Sequence, residues 1–287
     1  MPIQRWHERF DEFVARKQQE AARAVLPPYV TEEEQADPRM LAIGNAWSRA
    51  LFDGDFYLSP PVDPARPGCN LVFVQSKDGN TGAKNPSTLG GGETDKHLIY
   101  EGLSRAAADA VLAGAETIRG GTLILSVWHP ELVRLRESLG KPRHPVQVVA
   151  TLQGLNLEHG LLFNTPSIGV ILITVGSCAR LMDEQVAVRP WITPVVMGSP
   201  QDLPYAFERL RALGVTRVSA IGGRRIATQL IDARLVQDVY LTTSPRTGGE
   251  PDTPMYPKPL EGAVTVRKRG TGGESGVIFE HLRLTAT

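Results

Sequence analysis

The sequence is nearly without cysteine. Its two, Cys69 and Cys178, stand far apart and in no metal-ligand spacing, which suggests neither a disulfide framework nor a zinc site. Neither sign of charge is in excess: Lys plus Arg number 31, and so do Asp plus Glu. No global field is therefore available to recruit nucleic acid or an anionic membrane. Long apolar runs are missing too. Spanning a bilayer takes roughly 18 residues, and the longest candidate, Ile168 to Val175, is strand-sized. The N-terminus opens on Arg5, His7, Glu8, Arg9, Asp11 and Glu12 and lacks the apolar core of a signal peptide. These absences predict a soluble, cytoplasmic chain with no nucleic-acid or membrane partner. A local cluster of donors for a small anionic ligand stays open.

What is present divides into two parts. Trp6, Phe10, Phe13 and Val14 recur at helical spacing among charges, which predicts an amphipathic helix over residues 5–24, ended by Pro27-Pro28. A second helical stretch is expected over 39–52, with Asp37-Pro38 as N-cap and first residue. A Pro-rich connector, Ser59 to Gly68, follows. Residues 1–67 thus read as a helical extension, and 68–287 as the main domain. In the latter, apolar runs predict buried strands at 70–75, 109–114, 146–151, 168–175, 193–197, 216–221 and 235–243. Helical stretches lie between them, around 94–108, 130–139, 178–184, 203–213 and 224–233. Strands separated by helices imply βαβ units and a largely parallel sheet covered on both faces. The tail departs from this rhythm: 263–269 and 276–284 alternate apolar and polar residues around Gly270 to Gly273, as a β-hairpin does. The expected fold is α/β, three-layered, with a mixed, mostly parallel sheet and an antiparallel C-terminal hairpin.

In open α/β sheets ligands collect at the carboxyl ends of the strands, and four strand ends stand out. Asn70 to Asn80 runs from a strand through Val74 into Ser76-Lys77-Asp78-Gly79, where the Asp-Gly pair permits a left-handed backbone; a plain turn with a capping carboxylate fits as well. The loop from Asn80 to Thr94, with Gly90-Gly91-Gly92, is a candidate binding loop or surface slack. Gly114-Ala115-Glu116-Thr117 leaves the backbone open and offers a hydroxyl, or is a simple glycine turn with an N-cap. Ile221-Gly222-Gly223-Arg224-Arg225 passes a strand directly into a helix, whose exposed amides suit a phosphate. Two arginines in that first turn oppose the helix dipole, a conflict that a bound phosphate would reverse; solvated surface arginines are the plain alternative. Val175-Gly176-Ser177 repeats the pattern, with Ser177 as the expected N-cap by residue type. No Gly-x-Gly-x-x-Gly occurs at any of these junctions, so the Rossmann fingerprint is lacking.

The order and spacing of these segments over about residues 70–284 resemble the reductase domain of the bifunctional riboflavin-biosynthesis deaminase/reductase, within the dihydrofolate-reductase-like superfamily. The resemblance rests on Ser76-Lys77-Asp78-Gly79, on Ala108-Asp109-Ala110 through Thr117-Ile118-Arg119, and on Gly222-Gly223 followed by Leu235 to Pro245. It implies an NADPH-dependent hydride transfer to a pyrimidine ribosylamine phosphate, and a homodimer. It also implies cofactor contacts at Val74, Ser76, Gly114, Ala115, Thr117, Ser177, Gly222, Gly223, Arg224 and Arg225, with Asp78 orienting substrate or relaying a proton. A dihydrofolate-type reductase and a non-catalytic NADP-binding scaffold are the alternatives. Two departures stand out: Ile221 replaces an acidic residue that usually precedes Gly-Gly, and Gly120 to Pro130 lacks the family's substrate-holding Asp-x-Pro-x-Leu. The zinc-bearing deaminase pattern is absent.

Overall fold

Side chains alternate between two apolar layers along each central strand, as the two-residue period of a strand requires. Val111 and Ala113 pack with Val72, Val149 and Leu172 on one face, while Ala110 and Leu112 join Leu71, Val148, Ile171 and Ile173 on the other. The computed structural model describes residues 3–83, 85–119, 123–260, 264–272 and 276–284. The strands carrying this pattern are β4 (Gly68–Gln75), β5 (Ala110–Gly114), β6 (Val146–Ala150), β7 (Val170–Val175), β8 (Ile192–Met197), β9 (Arg217–Ile221) and β10 (Asp238–Thr243). They run parallel in the order β10-β4-β9-β5-β6-β7-β8. The hairpin of β11 (Val264–Gly272) and β12 (Ile278–Leu284) adds antiparallel strands beyond β10; residues 263 and 273–275 of the expected hairpin lie outside the described residues. The mixed, mostly parallel sheet with an antiparallel C-terminal hairpin is the architecture the pattern predicts.

Helix α1 (Ile3–Ala22) buries Trp6, Phe10 and Phe13 against the first face, with Phe13 edge-on to Trp128 at 5.4 Å. The same face is covered by α5 (Pro130–Ser138), which contributes Leu132 and Leu135. The second face is covered by α7 (Leu203–Ala212) and α8 (Arg224–Asp232), through Phe207, Leu210, Ile226 and Leu230. Among the described residues no helix is long and apolar enough to cross a membrane.

The stretch ahead of β4 is not helical throughout. Residues 39–52 hold a strand, β2 (Leu41–Ile43), and only then a helix, α2 (Ala46–Phe52). Its N-cap is Asn45, not Asp37. Asn45 and Ser48 cap each other reciprocally, a capping-box arrangement that fixes the helix start. Gly44 just before it has φ +153°, and a Cβ there would come 2.9 Å from Asp55 Oδ1. Asp37 turns instead onto the amide and guanidinium of Arg39. β2 pairs with β3 (Phe56–Leu58), and β1 (Tyr29–Glu34) joins the main sheet as a tenth strand beside β11. Tyr29 anchors it, its ring packed between Phe52 and Phe279.

Candidate active site at the carboxyl edge of the sheet

Because β10, β4, β9 and β5 are parallel neighbours, the turns that follow them gather on one edge. Two of these turns are built for close backbone approach. Gly222 and Gly223 have φ +58° and +76°, a left-handed conformation that side chains resist. Gly223 is the N-cap of α8 and no side chain caps this helix. Its first amides therefore have no side-chain acceptor, with the positive end of the helix dipole behind them. At the neighbouring turn, Gly114 precedes the short α4 (Ala115–Ile118) in extended backbone, φ −73° and ψ 154°. A Cβ on Gly114 would meet nothing within 4 Å. The Thr117 hydroxyl lies 3.8 Å from the place where Gly222 would carry a Cβ, so the two turns face each other. Between them runs a groove of about 1890 Å³ whose walls include Val74, Gly114, Ala115, Thr117, Gly222, Gly223, Arg224 and Arg225.

Three expected residues fall outside this wall. Ser76 is buried in a closed turn, its amide donating to the Asn80 carbonyl and its hydroxyl accepting from the Asn80 amide. That closure turns Asp78 outward, where its carboxylate accepts from the Gly248 amide at 3.3 Å. Asp78 thus pins a loop and does not reach the groove. Ser177 is exposed and does not cap a helix: α6 (Gly176–Ala187) begins one residue earlier, with Val175 at its N-cap and no side-chain cap. Of that strand end, Ile173 is the residue that reaches the groove.

Of the carboxyl groups that line the groove, two are buried, Glu101 and Asp95, and neither is among the residues expected. The Gly-rich loop is followed by α3 (Gly92–Thr94), which continues through Asp95–Leu103 as π-type turns. Asp95 is 8% exposed and lines the groove. Its Oδ1 accepts a hydrogen bond from the Thr242 hydroxyl, and Thr242 is the register partner of Val74 across β10 and β4. A Cβ on Gly91 would come 2.6 Å from Oδ2, so that glycine is what leaves room for the carboxyl. Burial pushes the Asp95 carboxyl up to about 6, against the opposing pull of the Thr242 bond. The sign in the sequence is the position of Asp95, three and four residues before the buried Leu98 and Ile99, which puts an acid on the inner face of a helix.

The far end of the groove is lined by Phe13, Arg16 and Lys17 of α1, and by Tyr100, Arg105 and Trp128. Arg105 is 2% exposed. Its guanidinium stacks 3.7 Å over the Tyr100 ring and Nη1 donates to the Ser126 carbonyl at 3.1 Å. Among the described residues, Nε and Nη2 have no hydrogen-bond partner. Buried guanidinium N–H groups without acceptors are costly, and an anion entering from the groove would satisfy them. Glu101 accepts from the Trp128 amide at 2.9 Å and meets His97 Nδ1 at 3.2 Å, which fixes Trp128 in place. Of the departing segment, residues 120–122 lie outside the described residues. Ile221, the other departure, is a core residue at 1% exposure, paired with Val72.

The RibD C-terminal domain family matches residues 67–271. The chain belongs to that family. Membership makes it an oxidoreductase of the riboflavin-pathway reductase type, as the motifs implied. No curated protein is similar to the chain. Among solved structures it is similar to a pyrimidine reductase-like protein of Corynebacterium diphtheriae, at 20% identity and TM-score 0.61 over 81% of this chain and 98% of that one. It is also similar to a riboflavin biosynthesis reductase of Saccharomyces cerevisiae, at 16% and 0.52 over 77% and 91%. A third is the diaminohydroxyphosphoribosylaminopyrimidine deaminase/5-amino-6-(5-phosphoribosylamino)uracil reductase of Thermotoga maritima, at 18% and 0.51. There 77% of this chain matches 57% of that protein. At such identities the likeness is one of fold. The family match starts at residue 67, so α1, which lines the groove, lies outside it.

Proposed function

We propose that the groove binds NADPH along its glycine turns and a phosphorylated pyrimidine ribosylamine at the α1 end. The observation that carries this reading is the pairing of two open glycine turns, Gly114 and Gly222-Gly223, on one groove, with the uncapped start of α8 following directly on the second. A pyrophosphate fits there because amides, dipole and the two arginines all favour negative charge. Gly114 leaves space where any side chain would intrude. The nicotinamide supplies a hydride when bound. The chain's own task is to hold the two reactants in register and exclude water. Arg105, with its unpartnered N–H groups, suits the substrate phosphate, and Phe13 and Trp128 form an apolar wall for a planar ring. The substrate class follows from the activity for which the Thermotoga protein is named. We place the reaction in the cytoplasm and propose a homodimer as its working form, to be read from sedimentation.

The test is twofold. NADPH at saturating concentration raises the melting temperature, as any ligand specific to the folded state does. With 5-amino-6-(5-phosphoribosylamino)uracil added, the absorbance of the reduced nicotinamide then falls. A melting temperature unmoved by NADPH or NADH overturns the cofactor reading; NADPH binding without turnover of this uracil overturns the substrate reading alone.

A further inference from the structure

We infer that the protein carries a second ligand site, a pocket for a small organic carboxylate between the N-terminal extension and the C-terminal hairpin. The inference stands apart from the reductase reading above. The pocket has a volume of about 450 Å³, and none of its described wall residues belongs to the groove. That volume lies within the range of small-molecule sites. Part of the wall is drawn from residues between Glu34 and Tyr57, ahead of the stretch that the family match covers. Facing them are Arg267 and Lys268 of β11 and His281 of β12. The cavity therefore depends on the extension that this chain adds to the family's domain.

Two adjacent cations line the pocket, although successive side chains of a regular strand alternate between faces. A bulge brings them together. The register of β11 with β12 shifts between Val266 and Lys268, which leaves Arg267 without a partner on β12, and a bulge of this kind re-aims a side chain. Lys268 is 3% exposed. Its ammonium donates to the Asp53 carbonyl at 2.9 Å and lies 4.3 Å over the Phe52 ring, and among the described residues it forms no ion pair. The nearby acids are engaged elsewhere: Asp53 with the Thr31 amide, Asp55 with Arg49, and Asp37 with Arg39. Arg267 approaches Asp37 at 3.5 Å through Nη2, but its buried Nε has no hydrogen-bond partner among the described residues. A buried ammonium is normally paired, and buried N–H groups without acceptors are costly. Burial lowers the Lys268 pKa, against the opposing pull of Glu34, Asp53 and Asp55.

A carboxylate entering the pocket would answer both groups, supplying the counter-ion that Lys268 lacks and an acceptor for Arg267. Met40, Phe52, Tyr57 and Leu103 line the space around them and give a planar or aliphatic body an apolar bed. Glu34 and Asp37 stand on the same wall and oppose a second negative charge, so a monoanion fits where a phosphate dianion does not. His281 is turned onto Asp238 at 3.0 Å and adds no second cation aimed at the ligand. The ligand is thus a compact apolar acid with one carboxylate.

Calorimetry on the full chain tests this, with benzoate as the probe, benzamide as its neutral counterpart and inorganic phosphate as the competitor. Benzoate binds one to one with a Kd of about 1 mM or tighter. Benzamide binds at least about tenfold more weakly, because it brings no charge to Lys268, and phosphate does not displace benzoate. Lys268→Met removes the ammonium at similar length and weakens benzoate by at least about tenfold. Met40→Trp, in the turn ahead of β2, fills the pocket without touching a charge and abolishes binding, which keeps the test decisive where the lysine variant folds poorly. Both substitutions leave the groove and Arg105 intact, so an anion held there would not respond to them. No saturable binding of benzoate, equal affinity for benzamide, displacement by phosphate, or unchanged affinity in either variant that folds overturns the site. The NADPH-induced shift in melting temperature is read separately, so loss of this pocket and loss of the reductase reading are told apart.

Discussion

Asp109 and Thr216 lock the starts of two parallel strands together. One oxygen of the Asp109 carboxylate accepts from the Thr216 amide at 2.8 Å and from its hydroxyl at 2.5 Å, and also from the Arg217 amide. The other oxygen accepts from Lys141 Nζ at 2.6 Å. Asp109 precedes β5 and Thr216 precedes β9, so this clamp lies at the amino edge of the sheet. The same two strands end, at the opposite edge, in the Gly114 and Gly222 turns that face each other across the groove. The register of the site is thus set from the far end of its own strands.

Asp109→Ala should therefore destabilise the protein by about 2–4 kcal/mol, because it strands several partners at once. Burial alone would raise the Asp109 carboxyl, but the bonds from Lys141 and Thr216 outweigh it and hold it below its ordinary value. A carboxylate depressed in the folded state stabilises above its unfolded pKa, and that contribution is lost as pH falls through the folded one. Urea unfolding at neutral pH and again below about pH 3.5 should show the gap between wild type and variant narrowing in acid. An equal gap at both values means that the ionised carboxylate is not what holds the strands.

Gly114→Val separates folding from binding. The backbone at Gly114 is extended, φ −73° and ψ 154°, where valine is at ease, and a Cβ there meets nothing within 4 Å. The melting temperature of the free protein should stay within about a degree or two, since surface changes of this kind lie within about 0.5 kcal/mol. NADPH affinity should fall at least about tenfold, because the new methyl groups occupy the groove. Calorimetry showing unchanged affinity would place the dinucleotide elsewhere.

The parallel strands were legible because each is buried on both faces and so reads as a short apolar run between helices. Val170–Val175 and Arg217–Ile221 show this plainly. β1 was not legible. It is an edge strand whose sequence ends in three glutamates, and only Tyr29 turns inward among fully buried neighbours. The start of α6 misled for a related reason: serine is a good cap by type, yet the chain turns helical at Gly176, one residue before Ser177. At the site, glycine turns announced themselves, since a left-handed backbone leaves few choices of residue at Gly222 and Gly223. Asp95 did not, because an acid after a Gly-rich loop looks solvated until the fold shows β10 and Thr242 closing over it. Asp78 misled in the opposite sense, lying at a strand end yet aimed at Gly248.

Gly223→Asp should weaken NADPH by at least about tenfold, and the cause can be divided. Gly223 has φ +76°, which strains any replacement, and a carboxylate there would also face the phosphates at the start of α8. Gly223→Asn carries a comparable backbone cost, since Asn and Asp side chains have nearly the same size and shape, but no charge. The aspartate variant should bind NADPH more weakly than the asparagine variant, by a margin that shrinks as salt is raised. If the two lose affinity equally, charge at this position is not felt and the pyrophosphate does not lie on these amides.

Helix α1 should loosen in acid before the rest of the protein does. Its Phe10 ring stands edge-on to His144 at 5.6 Å, and His144 Nδ1 is 2.8 Å from the Ser126 hydroxyl. Burial first, then the charges of Arg143 and Arg136, push the His144 imidazole down to about 3. A histidine depressed in this way favours the folded state above its unfolded value of about 6.5, and that contribution drains away as pH falls from there toward the folded value. Protonation next to Phe10 and two arginines is relieved most easily by releasing the helix. Hydrogen-exchange protection of residues 3–22, corrected for intrinsic rates, should fall between pH 7 and about 4.5 while β5 and β7 stay protected. In His144→Gln, which keeps a polar partner for Ser126 but does not titrate, protection of α1 should change much less over that range. An identical loss in the variant would assign the loosening to other groups and free His144 of the role.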